Sequence, residues 1–153
     1  MNRVFQIANK VSRERMRALI ESMSDEGLAL PTVAGWTIAS TLAHVAFWDH
    51  RILYLLKHWK ENEIAPSPYD VDAINEAHKP LCLALPLRIA AQLALQASEA
   101  IDREIEKTPD ELVEKIVAAK VQFKFERNGH REYHLKEIED ALAGEGKISK
   151  EEP

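Results

Sequence analysis

The spacing of apolar positions along the chain predicts helices. In residues 3–23 apolar side chains recur every three or four positions with charges between them, which is typical of an amphipathic helix. Thr37 can act as the N-cap of a second helix that runs to about residue 61. Its first half carries almost no charge, so we expect burial on most sides. A third long helix is predicted from Pro86, near its first turn, to about Ile105.

Shorter elements lie between and after these helices. Residues 69–78 suit a short helical segment that Pro80 would stop. Thr108, Pro109 and Glu111 have the pattern of an N-cap, a first-turn proline and a capping-box glutamate, which predicts a short helix to about residue 117. Residues 118–127 have no clear assignment, although Val121, Phe123 and Phe125 alternate with polar residues as in a brief extended segment.

The last predicted helix covers residues 129–143, with Asn128 as N-cap and Gly144 as C-cap. The charged segment 145–153 is expected to be a frayed tail. Three long helices and one shorter helix, joined by loops, predict an all-α fold. We expect one domain over residues 1–144, an up-and-down four-helix bundle.

Charge and composition exclude several classes of protein. The net charge is -5 and no basic face is concentrated anywhere, which argues against nucleic-acid binding. Residues 27–48 contain no Asp, Glu, Lys or Arg, but Pro31, Gly35 and several hydroxyl side chains interrupt the apolar run, so no membrane span is predicted. Cys82 is the one cysteine, which rules out a disulfide within the chain and favours a reducing cytoplasm.

Three polar side chains of the last helix share one face. His130, His134 and Glu137 are at positions i, i+4 and i+7. Two imidazoles one turn apart can bind one divalent ion if a third ligand comes from elsewhere. On the second helix His44 points inward among apolar groups, where its ring nitrogens need partners.

The other histidines are expected outside this group. His50 and His58 lie on the more polar side of the second helix, where surface roles are favoured, and His78 belongs to the short middle segment. Asp49 is five residues beyond His44 and is expected to point elsewhere.

Two stretches resemble the signatures of the DinB-like superfamily. Residues 35–49, GWTIASTLAHVAFWD, are similar to its second-helix signature of Trp, Ser or Thr, and a Leu-x-His-x-x-x-Trp run. Residues 129–138, GHREYHLKEI, resemble its last-helix signature of two histidines separated by three residues. Residues 71–77 resemble its middle region less specifically, so the resemblance covers nearly the whole chain in order.

The resemblance implies an up-and-down four-helix bundle, commonly homodimeric, with a divalent metal. Carried over to this chain, the ligands are His44, His130 and His134. Imidazole ligands favour Zn or Ni, with Fe or Mn as alternatives. Glu137 is open to a role as fourth ligand, as hydrogen-bond acceptor of a ligand, or as a solvated side chain.

Relatives in that superfamily include isomerases and S-transferases that use the low-molecular-weight thiols mycothiol or bacillithiol. The resemblance therefore favours thiol transfer or isomerisation of a small-molecule substrate. Metal-dependent hydrolysis and non-catalytic binding of a small ligand in a stress response are the alternatives. For a general base, Glu137 and Tyr133 are the candidates.

Overall fold

The computed structural model describes the backbone of residues 3–151 and the side chains of residues 3–144. This part of the chain is all-helical and contains no strand, which confirms the predicted fold class. In the loop before the helix that starts at Ile38, an isolated antiparallel β-bridge pairs Pro31 with Thr37. The seven helices of the described part are α1 (Val4–Ser22), α2 (Asp25–Leu28), α3 (Ile38–Glu61), α4 (Val71–Ala84), α5 (Leu87–Lys107), α6 (Asp110–Ala119) and α7 (Asn128–Glu151).

Helix α3 is the central element. It begins at Thr37, the N-cap that the sequence predicts: Thr37 Oγ1 accepts from the Ser40 amide at 3.1 Å. Ser40 Oγ accepts from the Thr37 amide at 2.8 Å in return, which completes a capping box. Nearly all of its first ten residues are buried, as their lack of charge predicts. Because α3 contacts α5, α4 and α7, its inward side chains reach the middle of the protein.

Four long helices, α1, α3, α5 and α7, form the body of the molecule. Helix α3 packs against α5 and α7, and α1 packs against α5 and α7. The apolar interior has two parts, one around Leu42, Ala91 and Ile138, and one around Trp59 and Ile101. The up-and-down order of a four-helix bundle remains a prediction.

Two predicted helix ends are wrong. Helix α4 passes through Pro80 and ends at Ala84. A proline at this position leaves the carbonyl of Glu76 without its helical partner, and the exposure of Glu76 lets water replace that partner. Helix α7 likewise continues through Gly144 to Glu151, so the predicted end at Gly144 is wrong. The frayed tail expected over residues 145–153 remains a prediction.

Two predicted caps also differ from the structure. The Thr108 hydroxyl donates to the Glu104 carbonyl at 2.7 Å, so it caps the end of α5 and Pro109 precedes α6 without a side-chain cap. Asn128 is the first residue of α7, and the side chain that accepts hydrogen bonds at this end is Asn9 of α1.

The segment 120–127 connects α6 to α7, and its expected extended conformation remains a prediction. Its backbone forms no strand, and its alternating rings pack inward: Phe123 lies 5.5 Å from Trp59 and Phe125 lies 5.6 Å from Phe5, between ring centroids. Among the described residues, no helix has the length and apolar character needed to cross a membrane.

Candidate metal centre

Three histidine rings from two helices meet at one point. His44 comes from α3, and His130 and His134 come from adjacent turns of α7. The Nε2 atom of His130 lies 3.4 Å from that of His44 and 3.1 Å from that of His134. One candidate ligand atom from each ring lies within 4.8 Å of the other two. The structure thus brings together the three residues that the sequence singles out.

A fourth histidine fixes the orientation of His44. His78 Nδ1 lies 2.6 Å from the Ile74 carbonyl, which can only accept, so this nitrogen carries the proton. In the neutral ring His78 Nε2 is then an acceptor, and His44 Nδ1, 2.9 Å away, must donate to it. It follows that His44 Nε2 carries a lone pair.

Glu137 does the same for His134. Its Oε2 atom lies 2.8 Å from His134 Nδ1, so the ring donates to the carboxylate and leaves its own Nε2 as an acceptor. A carboxylate behind a histidine is the usual arrangement around a metal-binding imidazole, where it orients the ring and raises its basicity. Of the roles left open for Glu137, the structure supports that of a hydrogen-bond acceptor of a ligand.

His130 lies between the two acceptors. Its Nδ1 atom is buried without a hydrogen-bond partner in the described part of the chain, while its Nε2 faces the lone pairs of His44 and His134. Burial, followed by electrostatic repulsion from the neighbouring imidazole of His134, lowers the pKa of His130 to about 2 and that of His44 to about 3. These two rings are therefore neutral at physiological pH, as metal ligands must be.

The donor set fits a divalent cation. Two nitrogens that bind one ion at about 2.1 Å lie about 3.0 to 3.4 Å apart when the angle between them is roughly 90–110°. The observed Nε2 separations of 3.1 and 3.4 Å agree with this geometry. Because two of the three Nε2 atoms are fixed as acceptors, a cation at their meeting point would satisfy them together.

An open cavity of about 700 Å³ lies over this cluster. Its walls include the rings of Trp36, Trp48 and Tyr69, and the Trp36 ring lies 5.3 Å from that of His44 between centroids. Trp48 is held by a hydrogen bond from its Nε1 to Asn75 Oδ1 at 3.0 Å. Cavities of this size hold small molecules rather than macromolecules.

The two candidate bases occupy different places at the cavity. Tyr133 lines it but is 65% exposed, with its ring against that of His134. Glu137 is largely buried and already hydrogen-bonded to His134. His50 and His58 are exposed on α3, as predicted.

A buried ion network holds α7 in register. Asp49, fully buried on α3, accepts from Arg127 Nε at 2.9 Å and from Arg131 Nε at 3.2 Å. Arg131 also donates to both oxygens of Asp102 on α5, at 3.0 and 2.8 Å. Asn9 on α1 accepts through Oδ1 from the Arg127 amide at 2.8 Å. All four long helices are thereby joined next to His130.

Sequence reasoning missed His78 and this network. His78 lies on the inner face of α4 with Asn75 and Cys82, at spacings of three and four. Because the helix was expected to stop at Pro80, Cys82 fell outside it and this spacing was not recognised. Asp49 does point away from His44, as predicted, and it faces Arg127 and Arg131 instead.

Comparison with known proteins agrees with the geometry. Neither the curated proteins nor the solved structures include a match to the chain. A family model described as the DinB superfamily matches residues 8–138, which include the histidine cluster and His78 beside it. The chain therefore belongs to the DinB superfamily.

Proposed function

We propose that this protein is a divalent-metal-dependent enzyme of the thiol S-transferase or isomerase type, with His44, His130 and His134 as the ligands. The observation that carries the proposal is the meeting of three Nε2 atoms, two of them fixed as acceptors, under an open cavity. Three neutral imidazoles suit Zn or Ni, with Fe or Mn as alternatives. When bound, such an ion supplies Lewis acidity that lowers the pKa of a thiol or water molecule beside it.

The remaining residues orient the ligands and shape the site. His78 and Glu137 hold the outer nitrogens of two rings, so the imidazoles need little reorganisation to bind a cation. The rings of Trp36 and Trp48 pack against His44 and form part of the cavity wall over the cluster. A small substrate in the cavity would therefore lie against these rings and next to the histidines.

The surroundings of the trio favour a thiol over water as the nucleophile. Glu137 is the carboxylate in hydrogen-bond contact with the trio in the described part of the chain, and it is committed to His134 Nδ1. Water starts from a pKa of about 15.7 in bulk and a thiol from about 8.5, so the same bound ion would ionise a thiol with less help from a base. Because the carboxylate in contact with the trio is already committed to His134, the site supports thiol chemistry better than metal-dependent hydrolysis.

A metal-binding assay tests the proposal first. Protein without a His-tag is loaded with Zn, Ni, Mn or Fe in turn, dialysed and subjected to elemental analysis, with one ion per chain as the expected result. We expect His44→Ala to lose the ion, and His50→Ala, an exposed histidine on the same helix, to keep it. Wild-type protein that stays metal-free with all four metals would contradict the proposal.

An activity assay then tests the reaction class. Metal-loaded protein is combined with bacillithiol, mycothiol or cysteine and a chromogenic electrophile, and thiol consumption is followed. Turnover that His44→Ala abolishes supports the transferase type. Metal-loaded protein that consumes no thiol but cleaves ester or amide substrates would be a hydrolase, and one inactive in both assays would be a ligand-binding protein.

The assembly and location of the protein are proposals of the same kind. We propose a homodimer in the cytoplasm, because the family resemblance implies the former and the single cysteine favours the latter. Sedimentation equilibrium of the untagged protein tests the dimer.

A further inference from the structure

Arg127 brings a buried guanidinium to the wall of the cavity. The residue is 6% exposed and lines the cavity beside His130. Its Nε donates to Asp49 Oδ1 at 2.9 Å, which fixes the plane of the group. Its Nη1 and Nη2 make no hydrogen bond within the described part of the chain, and neither is sealed from solvent. Both nitrogens can therefore donate to a molecule in the cavity.

Arg127 shares its carboxylate partner with a second arginine. Asp49 pairs with both Arg127 and Arg131. Arg131 also pairs with Asp102, whereas Arg127 has no second carboxylate among the described residues. The charge of Arg127 is therefore only partly compensated, in a region where burial makes uncompensated charge costly.

Glu137 is the carboxylate in contact with the histidine cluster, and it is hydrogen-bonded to His134 Nδ1. Asp72 and Glu76 also line the cavity, but both are exposed on α4 and are more strongly screened by water. With a divalent ion bound, the two positive charges of the ion would exceed the single negative charge of Glu137, so the inner end of the cavity would favour an anion.

Arg51, the other arginine that lines the cavity, already has a hydrogen-bond partner and a stacking partner. Arg51 donates through Nη2 to the Ser67 carbonyl at 2.7 Å, and its guanidinium stacks on the Tyr69 ring at 4.3 Å from the centroid. Arg127 is the arginine whose two terminal nitrogens remain available in the cavity. A pair of adjacent N–H donors on one planar group matches the two oxygens of a carboxylate.

We propose that the small-molecule substrate carries a carboxylate, and that Arg127 binds it beside the histidine cluster. The inference deepens the proposed function and rests on it for the identification of this cavity as the substrate site. In this arrangement Arg127 sets the distance between the carboxylate and the reacting atom of the substrate. Selection among substrates then depends on this charged contact in a cavity whose walls also include the rings of Trp36, Trp48 and Tyr69.

Binding to metal-free protein tests this contact without interference from a bound ion. Calorimetry at pH 8 compares the monocarboxylates from acetate to hexanoate with the matching neutral amides. In the wild type we expect a carboxylate to bind at least about tenfold more tightly than its amide, as is typical for a charged hydrogen bond. Carboxylates that do not bind, or that bind no better than the amides, would overturn the proposal.

Variants locate the contact. Arg127→Gln and Arg127→Lys should both reduce the preference for the carboxylate, the second because a lysine cannot form the paired hydrogen bond. Arg13→Gln is the matched control, since Arg13 belongs to the same buried network but does not line the cavity. Thermal unfolding verifies that each variant is folded. If Arg13→Gln weakens the preference as much as Arg127→Lys, the effect belongs to the network and the proposal is wrong.

The two proposals can fail separately. Elemental analysis decides whether the histidine cluster holds an ion, and the comparison of carboxylate with amide is made without one. A carboxylate preference in protein that never binds metal would leave the role of Arg127 intact and reject the metal-dependent reaction.

Discussion

Replacing Asp49 by asparagine should destabilise the protein strongly. The substitution keeps the shape of the side chain but removes a charge that is fully buried between Arg127 and Arg131. The new amide group would also point an N–H at one of the two guanidinium groups, where a hydrogen-bond acceptor is needed. Both arginines would remain buried, so hydration of their guanidinium groups would not compensate for the lost ion pairs.

The contacts set the size of the effect. Breaking a buried ion pair from one side costs about 3 to 5 kcal/mol. Arg131 retains two hydrogen bonds to Asp102, at 2.8 and 3.0 Å, so we expect the lower end of that range. A loss of about 3 kcal/mol corresponds to a decrease in Tm of roughly 6 to 12 °C for a chain of this size.

Urea denaturation followed by circular dichroism gives the free energy of unfolding. The matched control is Asp140→Asn, which makes the same chemical change in an exposed pair on α7, where Asp140 lies 2.9 Å from Lys136. Such an exposed pair contributes little to stability, because water and salt screen the two charges. If Asp49→Asn costs less than about 1 kcal/mol, or no more than the control, then the network does not hold α7 as we infer.

Three further results are expected for the histidine cluster. In metal-free protein the lowered pKa values of His44 and His130, about 3 and 2 against the usual 6.5, mean that the unfolded state binds more protons below pH 6.5, so stability should fall as the pH decreases. Each ring accounts for up to about 2 kcal/mol at pH 5, and urea titrations that give the same stability at pH 5 and 8 would contradict the assignment. His78→Leu removes the acceptor for His44 Nδ1 and should weaken Zn binding about 10- to 100-fold in a chelator competition, whereas His78→Gln, whose carbonyl can accept, should recover part of it. Glu137→Gln keeps an acceptor for His134 but loses its charge, so we expect about tenfold weaker Zn binding, and affinity equal to the wild type would show that the carboxylate does not support the ligand.

The helices were predictable where the signal is local. The N-cap at Thr37 and the uncharged run after it identify the start and burial of α3, and both follow from short-range hydrogen bonding and apolar spacing. Thr108 shows where such rules fail. It lies between two helices separated by two residues, so its hydroxyl can serve either one, and the structure uses it at the end of α5.

The candidate site was predictable only in part. His130 and His134 are one turn apart on one helix, so their proximity follows from helical geometry, and His44 was identified through a family signature. His78 and the network of Asp49 with Arg131 depend on contacts between elements that are 34 and 82 residues apart along the chain. No periodicity in the sequence encodes such contacts, because buried charges find partners only once the helices have packed.

Asn9 connects the start of α7 to the first helix of the chain. Its side-chain oxygen accepts hydrogen bonds from the backbone amides of Arg127 and Asn128, which lie 118 and 119 residues later in the chain. During synthesis α1 and His44 emerge long before His130, and the side chain that accepts hydrogen bonds from the first amides around the start of α7 belongs to α1. The cluster should therefore assemble last, after the two ends of the fold have met, and metal should bind late to a nearly complete protein rather than guide its folding. Helix α1, which contributes none of the three histidines, would then determine when the site forms.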